Sequence, residues 1–149
     1  LNRNYFSMRA LKLLSFAIII FTSCSKTAVQ TNNYYVPFSA TLNGASEVPA
    51  NGSSAKGTAS GVYNKNTGIL TLNVTWSGVT ATALHVHDGA VGVNGATVFT
   101  LNGATSPINY TSVALTAAQE KDLLANLFYV DIHSAAYANG EIRGQLIMQ

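Results

Sequence analysis

The chain has 149 residues, enough for one domain of ordinary size and too few for two. Only 9% are charged, eight basic against six acidic, for a formal net charge of +2. No basic cluster interleaved with aromatics occurs, which leaves no case for a nucleic-acid partner.

The N-terminus carries three of the eight basic residues, Arg3, Arg9 and Lys12, and no acid. Met8-Arg9-Ala10-Leu11-Lys12 is short and basic, and Leu13 to Phe21 is apolar apart from Ser15. This is the pattern of an export leader, and the run falls short of the about 20 apolar residues of a membrane-spanning helix. Leu1 to Ser7 receive no structural role. The chain's one cysteine, Cys24, closes the leader. A lone cysteine in an exported protein is a free thiol, half of an intermolecular disulfide, or a modified residue. Phe21-Thr22-Ser23-Cys24 resembles the lipobox at which lipoproteins are cut and acylated. Phe21 stands where Leu is usual, while Ser23 suits the small position before the cut.

The resemblance implies a leader over residues 1–24 ending at an acylated Cys24, a polar tether over 25–34, and a β domain over 35–149. It also implies a membrane partner reached through lipid on Cys24, and a place in the cell envelope, periplasmic or at the outer-membrane surface. From Cys24 onward the basic residues are Lys26, Lys56, Lys65, Lys121 and Arg143. They face Glu47, Asp88, Glu120, Asp122, Asp131 and Glu141, a net of −1 for five bases against six acids.

Strand signals begin at Tyr35–Asn43 and break at Gly44-Ala45-Ser46-Glu47-Val48-Pro49, where Pro49 prevents pairing and Glu47 is expected to hold a structural hydrogen bond. Lys56–Tyr63 and Ile69–Trp76 flank Asn64-Lys65-Asn66-Thr67-Gly68, a hairpin connection with Gly at its end. In the second strand Leu70, Leu72, Val74 and Trp76 share one face, the period-2 pattern of a half-buried strand. Trp76 is expected to anchor the core. The tyrosines Tyr34, Tyr35, Tyr63, Tyr110, Tyr129 and Tyr137 are expected on half-buried strand surfaces. Further strands are predicted at Ala83–Asp88, Ala96–Leu101, Ile108–Ala114, Leu127–His133 and Glu141–Met148. A short helix begins with capping-box spacing at Thr116 and Gln119, with Leu123, Leu124 and Leu127 as its apolar stripe. Seven or eight antiparallel strands with one short helix predict an all-β fold, a Greek-key β-sandwich or a small barrel. There is also a faint echo: His87 precedes Asn94-Gly95 much as His133 precedes Asn139-Gly140.

An ordered set of segments resembles the CHRD domain, a module of chordin and of bacterial exported proteins. These are Ala40-Thr41-Leu42-Asn43-Gly44 with Glu47-Val48-Pro49, then Ala83-Leu84-His85-Val86-His87-Asp88-Gly89-Ala90 with Asn94-Gly95. Leu115-Thr116 with Gln119, Tyr129-Val130-Asp131-Ile132-His133-Ser134 and Gly140-Glu141-Ile142-Arg143-Gly144-Gln145-Leu146 complete it. The resemblance runs from Phe38 to the C-terminus, with Asp131 where such domains often carry Asn, and it implies a fold more than a function. More distantly, His-Val-His followed by an acid and Gly, with a later strand ending in His, resembles copper–zinc superoxide dismutases. That likeness would match His85, His87 and His133 to copper ligands. With three His and one Cys in the chain, the bridging His, the zinc ligands and the disulfide have no counterparts. What remains is a mononuclear site.

The residues themselves carry the same idea. Strand positions two apart share a face, so His85 and His87 can chelate one ion while Leu84 and Val86 face the core. On Leu127–His133 the core face is Phe128, Val130 and Ile132, which puts Tyr129, Asp131 and His133 on the other, with all three imidazoles on the outer surface. Three imidazoles with an open position suit copper or zinc, with Asp88 or Asp131 as the carboxylate that orients a ligand. Arg143, beside Glu141, is expected to form a cross-strand ion pair rather than an anion clamp. No nucleophile elbow, phosphate loop or dinucleotide fingerprint occurs, so no catalytic residue is assigned. Three functions stay open. The first is a non-catalytic binding or structural role in the envelope; the second is copper or zinc binding through the three His; the third is a redox enzyme acting on superoxide through that metal.

Overall fold

The computed structural model describes residues 33–149; the expected leader, Cys24 and the tether up to residue 32 lie outside the described residues. The strands are β1 (Tyr35–Asn43), β2 (Lys56–Asn64), β3 (Ile69–Ser77), β4 (Ala81–Asp88), β5 (Ala96–Leu101), β6 (Ile108–Thr111), β7 (Phe128–Ser134), β8 (Ile142–Gln145) and β9 (Ile147–Met148). One helix, α1 (Ala117–Leu124), separates β6 from β7. The strands form a single sheet in the order β5-β4-β7-β8-β1-β2-β3-β6, with β9 added to β1 and every pairing antiparallel. The two end strands meet through side chains: the rings of Phe99 on β5 and Tyr110 on β6 are 5.8 Å apart. The sheet thus curls towards a barrel, one of the two architectures expected.

Period-2 alternation decides which side chains fill it. Val36, Phe38, Ala40 and Leu42 of β1 are buried, as are Leu70, Leu72 and Val74 of β3 and Leu84 and Val86 of β4. Phe128, Val130 and Ile132 of β7 complete the far wall. Each of these except Ala40 contributes about 1.5–3 kcal/mol by leaving water. Trp76 continues the β3 pattern but sits at the strand's end and is only half-buried, packed on the rim of the core. The tyrosines divide. Tyr63 and Tyr129 are buried, Tyr110 and Tyr137 intermediate, and Tyr34 and Tyr35 exposed.

Local chemistry fixes the connections. The β2–β3 hairpin closes with Gly68 N–H donating to Asn64 O at 2.8 Å, and Gly68 takes φ +71°, a conformation glycine adopts without steric cost. The expected last strand divides at Leu146, whose N–H donates to Phe128 O at 2.9 Å while its side chain is fully buried. At α1, Thr116 Oγ1 accepts from Gln119 N, and Gln119 Oε1 accepts from Thr116 N, closing the capping box. Thr116→Ala is therefore expected to lower the unfolding free energy by about 1 kcal/mol, read as a shifted urea midpoint with unchanged slope. An unmoved midpoint would mean that the cap does not hold the helix. Among the described residues no helix is long and apolar enough to cross a membrane.

Candidate metal centre

Central position in the sheet builds the site. β4 lies between β5 and β7, and β7 between β4 and β8. Register places His87 opposite Tyr129 and Tyr129 opposite Gln145; one pleat along, His85 faces Asp131 and Asp131 faces Arg143. Leu84, Val86, Val130 and Ile132 take the opposite parity and fill the core. His133, two residues beyond Asp131, returns to the same face as His85 and His87. The three imidazoles converge: each offers one ring nitrogen, and these nitrogens all lie within 4.8 Å of one another. His85 Nδ1 and His133 Nε2 are 3.0 Å apart.

Backbone carbonyls choose which nitrogen each ring presents. His87 Nδ1 lies 3.1 Å from Gly95 O, and His133 Nδ1 lies 3.0 Å from Ala138 O. A carbonyl only accepts, so both Nδ1 atoms carry the proton and both Nε2 atoms keep their lone pair, that of His133 facing His85 Nδ1. His87 Nε2 is buried without any hydrogen-bond partner, an arrangement that costs stability unless something occupies the lone pair. Each carbonyl belongs to the loop following its histidine's strand, although Gly95 is part of its Asn-Gly pair while Ala138 precedes Asn139-Gly140. Burial pushes the His85 and His87 pKa values down, His85 further by the neighbouring His133 and His87. For His87 the Gly95 carbonyl acts in the opposite direction. Neutral imidazoles are what a metal requires.

The face is not the solvated outer surface expected from sequence. Loops roof it over, leaving Tyr129, Asp131 and Arg143 almost wholly buried and the His133 side chain only 13% exposed. Arg143 sends Nη2 to Val93 O at 2.9 Å and Ala90 O at 3.2 Å, and Nη1 to Asn94 Oδ1 at 3.3 Å. Asn94 in turn donates to Val48 O at 2.8 Å, joining this loop to the one that carries Glu47. Arg143 therefore clamps a loop, and the expected cross-strand ion pair does not form; Glu141 instead accepts from Ser53 Oγ at 2.7 Å. Asp131 Oδ2 lies 3.7 Å from His133 Nε2.

The two carboxylates proposed to orient the ligands part company. Asp131 stands beside His133. Asp88 shares the parity of Leu84 and Val86 and has Asp122 as its neighbour, with burial and then that second carboxylate raising its pKa. Sequence reasoning missed Glu47 as a site residue. Its carboxyl is buried within hydrogen-bonding reach of Asp131, and burial, then the Asp131 charge, pushes its pKa well up. Asp131 is also pushed up by burial, less so because Glu47 and Arg143 pull the other way. Gly140 makes room for this pair: a Cβ there would come within 3 Å of both carboxyls, and its φ of +122° suits glycine.

Comparison with known proteins gives one family. Residues 38–146 match the CHRD domain. No curated protein and no solved structure matches the chain.

Proposed function

The chain belongs to the CHRD domain family through residues 38–146, and from that premise we propose that it is a metal-binding protein holding one copper or zinc ion through His85, His87 and His133. One observation carries the reading: three imidazoles each offer a nitrogen within 4.8 Å of the others, and His87 Nε2 is buried with no partner of its own. A purely adhesive or structural face gives no reason to bury that lone pair. The donor set fits the group. Imidazole nitrogen suits copper and zinc, and a set of three leaves room for a further ligand. The Ala138 carbonyl, 3.0 Å from His133 Nδ1, is the acceptor that orients this ligand, while Asp131 lies 3.7 Å from the Nε2 offered to the metal. Copper would supply one-electron chemistry here and zinc Lewis acidity. The likeness to copper–zinc superoxide dismutases is carried by the three imidazoles, and a dismutase assay on the loaded protein tests that extension.

Location is part of the proposal. The basic segment, the apolar run and Cys24 support an exported chain held at the cell envelope by lipid on Cys24, with the β domain outside the cytoplasm. Cys24→Ala is expected to move the protein from the membrane fraction to the soluble fraction; unchanged partitioning would remove the lipid anchor. For the metal, the purified protein is stripped with chelator and dialysed against Cu²⁺ or Zn²⁺. Retention of one equivalent per chain, lost in a His85→Ala/His87→Ala variant, supports the reading. No retention, or equal retention by the variant, contradicts it.

A further inference from the structure

Tyr129 and Arg143 contact no candidate ligand nitrogen through a polar atom, yet both are almost wholly buried on the histidine face. The Tyr129 ring stacks on His87 with centroids 4.9 Å apart and planes 8° from parallel. The Arg143 guanidinium carbon lies 3.3 Å from the centroid of the same tyrosine ring. Because β7 runs between β4 and β8, the ring is held from both sides, in a column His87–Tyr129–Arg143. The column is tied edgewise as well. Tyr129 Oη accepts the Gly95 N–H at 3.1 Å, and the carbonyl of that same Gly95 accepts from His87 Nδ1. The three acceptors of Arg143, Ala90 O, Val93 O and Asn94 Oδ1, all lie in the loop that ends at Gly95.

A guanidinium buried without a carboxylate in contact is costly, so its placement needs a return elsewhere. We infer that Arg143 and Tyr129 are positioning residues of the metal centre, which fix the His87 ring, its tautomer and the aim of Nε2 before any metal arrives. The inference rests on the metal-binding reading. An imidazole alone on a strand turns about two side-chain torsions. Here the stack fixes the plane of the ring, Gly95 fixes its edge, and Arg143 holds both the stack and the loop carrying Gly95. Donor atoms held in place bind more tightly because less ordering remains to be done on binding. The planar fork is what Arg supplies and Lys does not: one side chain sits over a ring and reaches three acceptors in one loop.

The test measures Cu²⁺ affinity of the full-length protein by competition with a chromophoric chelator, together with the visible and electron paramagnetic resonance spectra of the loaded form. Variants are Arg143→Lys, Tyr129→Leu and Tyr129→Phe, each first shown to be folded by circular dichroism. Arg143→Lys and Tyr129→Leu are expected to lose about 10–100-fold in affinity, the range for residues that support metal ligands. Tyr129→Phe keeps the ring and loses only the tie to Gly95, so its loss is several-fold, and it keeps the comparison open should either larger change fail to fold. The copper spectra of Tyr129→Leu shift, because His87 no longer meets the metal at a fixed angle. Folded variants with wild-type affinity and spectra would overturn the inference while leaving the metal site intact. A wild-type protein that binds no Cu²⁺ would overturn both.

Discussion

One equivalent of Cu²⁺ or Zn²⁺ raises the unfolding midpoint of the chelator-stripped protein, and replacing His85, His87 and His133 together by Ala abolishes the rise. A ligand that binds only the folded state adds about 2.7 kcal/mol at 100 times its Kd. For a domain of this size that is roughly 8–12 °C. The sequence dictates the size of the effect through parity and register. His85 and His87 share a pleat face, β7 lies alongside, and His133 reaches the same face, so the unfolded chain has no comparable site. Burial keeps His85 and His87 below their ordinary pKa, so at pH 7 protons do not compete for the nitrogens. The triple variant loses the 3.0 Å contact of His85 with His133 and also the orphaned Nε2 of His87. Its metal-free stability therefore stays within about 1–2 kcal/mol of wild type. Equal midpoint shifts in wild type and variant would place the metal elsewhere.

The second large effect is on stability against pH without metal. The Glu47 carboxyl is pushed up from its ordinary 4.5 to about 8, by burial first and by the charge of Asp131 second. Groups facing it are Asp131 from β7, Arg143 from β8 and His133 at the end of β7. The folded state holds this proton where the unfolded chain has released it, so folding takes up a proton across the window between those values. Stability is then greatest near pH 5 and falls as pH rises towards 8, because ionising the buried carboxyl opposes the native state. At about 1.4 kcal/mol per unit, discounted because the pair shares its proton, the loss is on the order of 2–4 kcal/mol. Glu47→Gln cannot ionise and its amide can donate to Asp131, so the slope flattens and the variant is more stable than wild type at pH 9. Chemical denaturation of both proteins at pH 5, 7 and 9 reads the difference directly. Parallel curves would mean that the Glu47 proton is not linked to folding.

Much of this was legible in the residues, and the failures have physical causes. Alternation along β3 and β4 assigned Leu70, Leu72, Val74, Leu84 and Val86 to the core, because a two-residue period leaves no other choice in a half-buried strand. The same rule brought His85 and His87 together and added His133 once β7 was aligned. Applied one step further, it would have separated Asp88 from the histidines, since Asp88 has the parity of Leu84 and Val86. What the pattern could not convey is that the polar face is covered. Solvation of a sheet face depends on loops distant in sequence: Glu47 meets Asp131 from 84 positions away, and Arg143 reaches back to Ala90, Val93 and Asn94. A polar strand face reads the same whether water or a loop lies over it. Glu47 was legible as a hydrogen-bonding loop residue and Arg143 as an ion-pair partner, while their burial and the contacts they make are encoded by no local spacing. Trp76 shows the complementary limit, for periodicity gives the face of a strand but not how far the core extends along it.

The proposed function stands on three imidazoles binding one metal. X-ray absorption at the copper or zinc edge of the protein loaded with one equivalent tests it most directly. The expected result is a first shell of about three nitrogens near 2.0–2.1 Å with the multiple scattering of imidazole rings, lost in the triple His→Ala variant. A shell containing sulfur, which would point to Cys24, or a shell of oxygens alone, would contradict it.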